Sequence, residues 1–349
     1  MAGCAKPPAP HATAAAQTEA DAVQPREVNA IAAYAIYGLT LESNVALDGL
    51  PPSPAVRAAD ITLVAGRTPP WADAPRRAGT VRYRTPPAQS QPDDNLVVHE
   101  AAEGFLFRYA DGTEFHVAAD GRNVWANWIP PLTVADMATY LVGPVMGFAQ
   151  RLRGVLCLHA SAVVVNGAAV ALCGPSEAGK STTAGAFASA GYEVLSDDLT
   201  ALRDDGASIS ALPAYGHLRV WTESERILLG TAGALPRLTP SWDKRALELR
   251  DRGWKFRDTP VRLGAVVFLA DRNADGRSPS VSPIAPAEAF VAMAANSYAN
   301  YLLDGAMRAV EFRAIERLVQ GSRLLRAVPH ADPRRIGELV ERIVAAVSP

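Results

Sequence analysis

The chain has 349 residues, 49% of them hydrophobic and 20% charged, with 34 Lys and Arg against 36 Asp and Glu. That length suits one large or two ordinary domains. The near-neutral balance lacks the basic excess of a nucleic-acid binder, and no apolar run is long enough to span a bilayer. Three cysteines, Cys4, Cys157 and Cys173, do not amount to a disulfide framework, and the last two lie in apolar runs as small core residues.

Residues 1–27 are rich in Ala and Pro and lack the charged and apolar regions of a secretory signal. A disordered tail on a cytoplasmic protein is expected. From Tyr34 onward YAIYGLTLES, ADITLVAG, GTVRYRT, NLVVHEA, GFLFRYA and TEFHVA carry the β-branched and aromatic residues of strands. Three Asp-Gly pairs, at Asp48, Asp111 and Asp120, are hairpin signals. Residues 86–95 form a polar loop. A β-rich N-terminal domain is expected over 28–130, with His99 and His116 in packing roles. The stretch Leu132 to Gly154 has helical character, which gives a connector at 131–154. From 155 to 349 strand and helix patterns alternate, as in an α/β domain.

The sequence GPSEAGKSTT begins at Gly174. Gly174, Gly179, Lys180 and Ser181 match G-x-x-x-x-G-K-[ST], in a chain with only four lysines. A buried-strand run, Ala168 to Cys173, precedes it and a helical run, Ser181 to Ala190, follows, with Gly191 at the C′ position. In that frame the loop's N–H groups and the helix N-terminus cradle phosphate oxygens. Lys180 then reaches the β- and γ-phosphates, and the Ser181 hydroxyl reaches Mg²⁺.

Two further groups belong with the loop. YEVLS is a strand with Asp197 and Asp198 at its carboxyl end, where ligands of open α/β sheets bind. One acid of such a pair can hold Mg²⁺ while the other accepts a hydroxyl proton. Upstream, Asn166-Gly167 signals a two-residue hairpin that pairs Val165 with Ala168. His159 then falls opposite Gly174, where it could touch a γ-phosphate or tune a carboxylate. The hairpin also makes the sheet mixed.

With these residues in view, HASAVVV, CGPSEAGKSTT and GYEVLSDDLTAL resemble the HPr serine kinase/phosphorylase family. The likeness is greater to the HPr-kinase-like proteins of peptide-modification gene clusters, some of which phosphorylate the C-terminal serine of lasso-peptide precursors. Softer matches run over about 30–347. The resemblance implies a P-loop kinase domain of the HPr kinase/phosphoenolpyruvate carboxykinase type, α/β with a mixed sheet, behind the β-rich domain. It implies a nucleotide loop of Gly174, Pro175, Ser176, Glu177, Ala178, Gly179, Lys180, Ser181 and Thr182. It implies Asp197 as base, Asp198 with Ser181 at the metal, His159 and Lys180 as catalytic partners, and the basic pair Lys244 and Arg245 beside phosphate. ATP and Mg²⁺ would be the cofactors, a peptide or small protein the partner, with a homo-oligomer as the assembly. The glutamate–glycine signature that follows the acidic pair in HPr kinases is not found here. Glu177 stands where that family has a small or apolar residue.

The reading is then an ATP-dependent peptide or protein serine kinase. A non-catalytic ATP-binding scaffold and a small-molecule kinase are the alternatives; an ABC-type ATPase is unlike this chain, which has no LSGGQ-like segment. The charged segment 231–260 reads as a lid or substrate loop.

Overall fold

The computed structural model describes residues 31–53, 58–74, 79–86, 96–239, 242–275 and 277–348. The tail expected at 1–27 and most of the polar loop at 86–95 lie outside them.

The first half is an eight-stranded sheet. Its strands are β1 (Ala32–Ile36), β2 (Leu39–Ser43), β3 (Ile61–Ala65), β4 (Thr80–Arg84), β5 (Leu96–Ala101), β6 (Gly104–Tyr109), β7 (Glu114–Ala118) and β8 (Asn123–Asn127), in the order β1-β2-β3-β8-β7-β6-β5-β4. YAIYGLTLES is not one strand. It turns at Tyr37-Gly38, both with positive φ (52° and 74°), the signature of a type I′ hairpin. Of the three Asp-Gly pairs, those at Asp111 and Asp120 close antiparallel hairpins. The Asp48 pair sits in the crossover between β2 and β3, which run parallel. His116 is fully buried and packs edge-on against Trp71.

The connector is a helix in three pieces: α1 (Val134–Tyr140), a π-turn (Leu141–Val145) and α2 (Met146–Leu152). Pro144 lies inside the π-turn, where its missing N–H cannot continue the α ladder. One hydrophobic core runs from β1 through these helices to Leu199, Tyr215 and Leu302. Packing is therefore continuous across residue 130.

The second half is a mixed α/β unit. A ten-stranded sheet contains β9 (Leu156–Leu158), β10 (Ala160–Val165), β11 (Ala168–Cys173), β12 (Glu193–Ser196), β13 (Thr200–Asp204) and β14 (Ile209–Ala211). A three-stranded sheet holds β15 (His217–Val220), β16 (Arg237–Thr239) and β17 (Trp242–Glu248). The larger sheet is completed by β18 (Lys255–Phe256), β19 (Val261–Leu269), β20 (Ser280–Pro283) and β21 (Arg323–Val328). Alternation along β10 sends Val163 and Val165 to one face and Ala162 and Val164 to the other, and both faces are covered. The helices α3 (Lys180–Ser189) and α7 (Ile336–Val347) cover the first; α5 (Pro286–Ala295) and α6 (Gly305–Gly321) cover the second.

Segment 231–260 is not a loop in the described residues. It forms β16, β17 and a short 3₁₀ turn, with Leu235, Leu247 and Leu249 in the core. The charged Lys244 is buried with them. The buried carboxylate of Glu225, on α4 (Thr222–Leu229), accepts the N–H groups of Gly233, Ala234 and Leu235 at 2.9, 2.7 and 3.0 Å and pins the approach to β16.

Candidate active site

Three pieces of chain meet at one edge of the ten-stranded sheet, and strand direction brings them there. β10 lies between β11 and β12 and is antiparallel to both, in the register Ala160↔Cys173 and Val165↔Ala168 on one side and Ala162↔Ser196 on the other. The carboxyl ends of β11 and β12 and the start of β10 therefore share an edge. Gly174 follows β11, Asp197-Asp198 follow β12, and His159 precedes β10. The turn that sets this register is Asn166-Gly167, with φ of 50° and 77°.

The loop from Gly174 leads into α3, whose first residue is Lys180 and whose N-cap, Gly179, has φ 92°. The first-turn N–H groups of the helix have no partner within it and are available to an anion at the loop. Lys180 is buried. Its Nζ donates to the carbonyls of Gly174 (2.9 Å) and Pro175 (2.8 Å), so it spans the loop. The Thr182 hydroxyl is 2.7 Å from Ser224 Oγ on α4, which ties the helix start to its neighbour. Glu177 has φ 66° and is exposed.

The two acids differ sharply. Asp197 is fully buried with both oxygens engaged: Oδ1 accepts Ser161 Oγ–H at 2.6 Å, and Oδ2 accepts the Arg219 N–H at 2.9 Å. Asp198 adopts φ 66°, a strained conformation for a non-glycine residue that turns its side chain the other way. Its oxygens face His159 Nδ1 (3.7 Å), an Arg219 guanidinium nitrogen (3.8 Å) and the Tyr298 hydroxyl (3.4 Å). Burial pushes the Asp198 carboxyl up, but His159, Arg219, Lys244 and Lys180 outweigh it and hold it down at about 2. The group is an anion throughout the physiological range.

His159 has a side chain about one quarter exposed, and its Nδ1 is 3.1 Å from the Asp198 carbonyl oxygen. Burial lowers its pKa, the attraction of Asp198 opposes that, and Lys180 and Lys244 lower it further. The imidazole is therefore neutral at pH 7. Arg219 is buried on β15, over the Tyr215 ring at 5.5 Å, and its own burial is outweighed by Tyr215, Asp198, Tyr37 and Tyr298, which hold it protonated.

The basic pair on β17 divides. Lys244 is buried over the Trp221 ring at 5.2 Å and acts on Asp198 and His159. Arg245, the next residue on the strand, turns away to Asp243 (3.1 Å) and the Leu235 carbonyl. Three residues beside Asp197 and Asp198 carry no sequence signal of their own: Ser161, Arg219 and Tyr298. Only Arg219 left a hint, a charge inside the apolar strand HLRV.

The connector closes the site from the N-terminal side. A Cβ on Gly143 would stand 3.1 Å from the Tyr298 hydroxyl and 3.6 Å from Asp198 Oδ2, and one on Gly147 would meet the Tyr298 ring at 2.6 Å. The Tyr37 hydroxyl donates to the Val142 carbonyl at 2.7 Å, so the β1-β2 turn bears on the same segment. Arg82 on β4 donates to the Leu302 carbonyl at 3.1 and 2.8 Å and steadies the chain just after Tyr298.

Nucleotide and Mg²⁺ both suit what is present. The loop offers helix N–H groups and Lys180. Among the described residues no group of three or more His, Cys, Asp or Glu side chains could hold a metal alone. A Mg²⁺ here would rest on Ser181, the Asp198 anion and phosphate oxygens, the usual sharing for that ion.

No protein-family profile matches the chain, and no curated protein matches it in sequence. Among solved structures, the Hpr(Ser) kinase/phosphatase from Coxiella burnetii is similar over 54% of this chain and 97% of that one, at 12% identity and a TM-score of 0.31. Likeness at that level fixes neither family nor reaction. No helix of the described residues is long and apolar enough to cross a membrane.

Proposed function

We propose that the protein is an ATP-dependent serine kinase acting on a peptide or small protein, related to the HPr-kinase-like proteins. What carries the reading is the meeting of the phosphate loop, His159 and an ionised Asp198 at one sheet edge, built by a hairpin register rather than by chance proximity. The acceptor that the resemblance suggests is the C-terminal serine of a lasso-peptide precursor.

The geometry supports a division of roles. The loop's N–H groups bind phosphate oxygens, and Lys180 turns from the Gly174 and Pro175 carbonyls to the β- and γ-phosphates. Ser181 and Asp198 would hold Mg²⁺, which when bound supplies positive charge to the transferring group. Asp197, with both oxygens committed, anchors the end of β12 to β10 and β15; Asp198 is the acid free to meet substrate. Its carboxylate accepts the hydrogen bond of the serine hydroxyl and aligns that oxygen. In a loose transition state the proton leaves late, and neutral His159 beside Asp198 is the better resting place for it than a carboxylate of pKa about 2. Lys244 and Arg219 offset the charge that gathers there.

Intact-mass measurement on serine peptides incubated with the protein and Mg·ATP tests this. The expected result is a gain of one phosphate that disappears with Lys180→Ala. A folded wild type that binds ATP and modifies no serine, in peptides or small proteins, would leave the scaffold reading instead.

A further inference from the structure

Arg272 was not among the residues singled out by motif, and no role above uses it. It lies three residues beyond the end of β19. That strand runs parallel to β11 in the register Cys173↔Phe268, so the turn after β19 leaves the sheet beside the phosphate loop. The turn is held by backbone. Ala270 N–H donates to the Ala327 carbonyl, Asn273 N–H to Pro329 and Ala331 N–H to Asn273, each at 2.9 Å, and Asn273 bridges to His330. Arg272 sits between two of these anchors, and its guanidinium reaches over the loop. A Cβ on Gly179, the left-handed cap of α3, would be 3.8 Å from its terminal nitrogen.

Arg272 lines a cleft with Gly179, Thr182, Thr183, His330, Asp332 and Arg335. The other charged groups there are committed. Arg335 makes two bonds to Glu338, at 2.7 and 2.6 Å, and Asp332 is bonded to Arg334. Across the loop, Lys180 is bonded to loop carbonyls and Arg219 faces Asp198. Arg272 is exposed and makes no hydrogen bond or ion pair among the described residues. A hydrogen-bonded turn that holds an unengaged guanidinium beside the N-cap of α3 suits one kind of ligand, a chain of phosphates whose oxygens can take two N–H donors at once.

We infer that Arg272 is a second cation of the nucleotide site, gripping the polyphosphate of a nucleoside di- or triphosphate from the side opposite Asp198. The inference rests on the phosphate-loop reading given above.

The test is calorimetric titration of ATP, ADP and AMP, each with Mg²⁺, into the wild type, Arg272→Met and Arg272→Lys, with thermal unfolding to verify the fold. A lost charge-assisted bond predicts ATP and ADP affinities about tenfold or more weaker in Arg272→Met, with partial recovery in Arg272→Lys. AMP, which lacks the polyphosphate, should change little. Arg272→Met binding ATP and ADP like the wild type would overturn the inference and leave the phosphate-loop reading standing. An equal loss for AMP would overturn it too, because the contact would then be to the nucleoside or its first phosphate. A wild type that binds none of the three would overturn the phosphate-loop reading itself, and this inference with it.

Discussion

The two sheets handle polarity in opposite ways. The eight-stranded sheet buries aromatic and aliphatic side chains, and its one fully buried histidine, His116, packs against Trp71. The edge of the ten-stranded sheet, with the three-stranded sheet beside it, buries Asp197, Lys180, Arg219 and Lys244, and the three cations all act on Asp198. Yet the first sheet is not a bystander. Through Tyr37, Val142 and Gly143 it presses on the far side of Asp198, and through Arg82 it steadies the turn that carries Tyr298. A charged cluster of this kind needs packing behind it, because mispositioned buried charges are costly. The ten-stranded and three-stranded sheets supply the charges, and the eight-stranded sheet keeps them in register.

This division can be broken from either side. The largest effect on the fold is expected from Arg219→Met, which leaves Asp198 without its buried guanidinium; about 3–5 kcal/mol of stability should be lost in a denaturant titration. A depressed carboxyl stabilises the fold above its unfolded pKa, and that contribution is lost as pH falls through the folded value. For Asp198 the window runs from the ordinary 3.8 down to about 2, and Asp198→Asn should flatten stability against pH across it by about 2 kcal/mol. Gly147→Ala attacks from the connector. Its Cβ would fall 2.6 Å from the Tyr298 ring and 2.8 Å from Leu199, so a loss of about 1–3 kcal/mol is expected, together with slower transfer in the folded fraction. If transfer is unchanged when Tyr298 is displaced, the connector is packing alone. The smallest effect lies in the loop. Glu177→Gly removes a side chain from φ 66° and should be neutral or stabilising by up to about 1 kcal/mol, with nucleotide binding kept.

Much of the site could be read in the sequence because its parts are local. The loop at 174–182 is one motif, Asn166-Gly167 sets a register over six pairs, and Asp197-Asp198 follow an obvious strand. What could not be read comes from far along the chain. Arg219, Tyr298 and Gly143 reach Asp198 from three separate elements, and no spacing rule links them. The different surroundings of the two acids go with the positive φ of Asp198, which a neighbouring acid does not announce. Lys244 and Arg245 looked like a pair, but successive strand residues face opposite ways. The Tyr37-Gly38 hairpin was hidden because tyrosine rarely occupies a left-handed turn position.

The central claim is that Asp198 serves transfer while the loop serves binding. Asp198→Asn, assayed side by side for affinity towards metal-free ATP and for Mg²⁺-dependent transfer of the terminal phosphate to peptide or water, tests it most directly. Binding within a few-fold of wild type with transfer reduced about 10²–10³-fold is predicted. Transfer at the wild-type rate in the folded variant would contradict it.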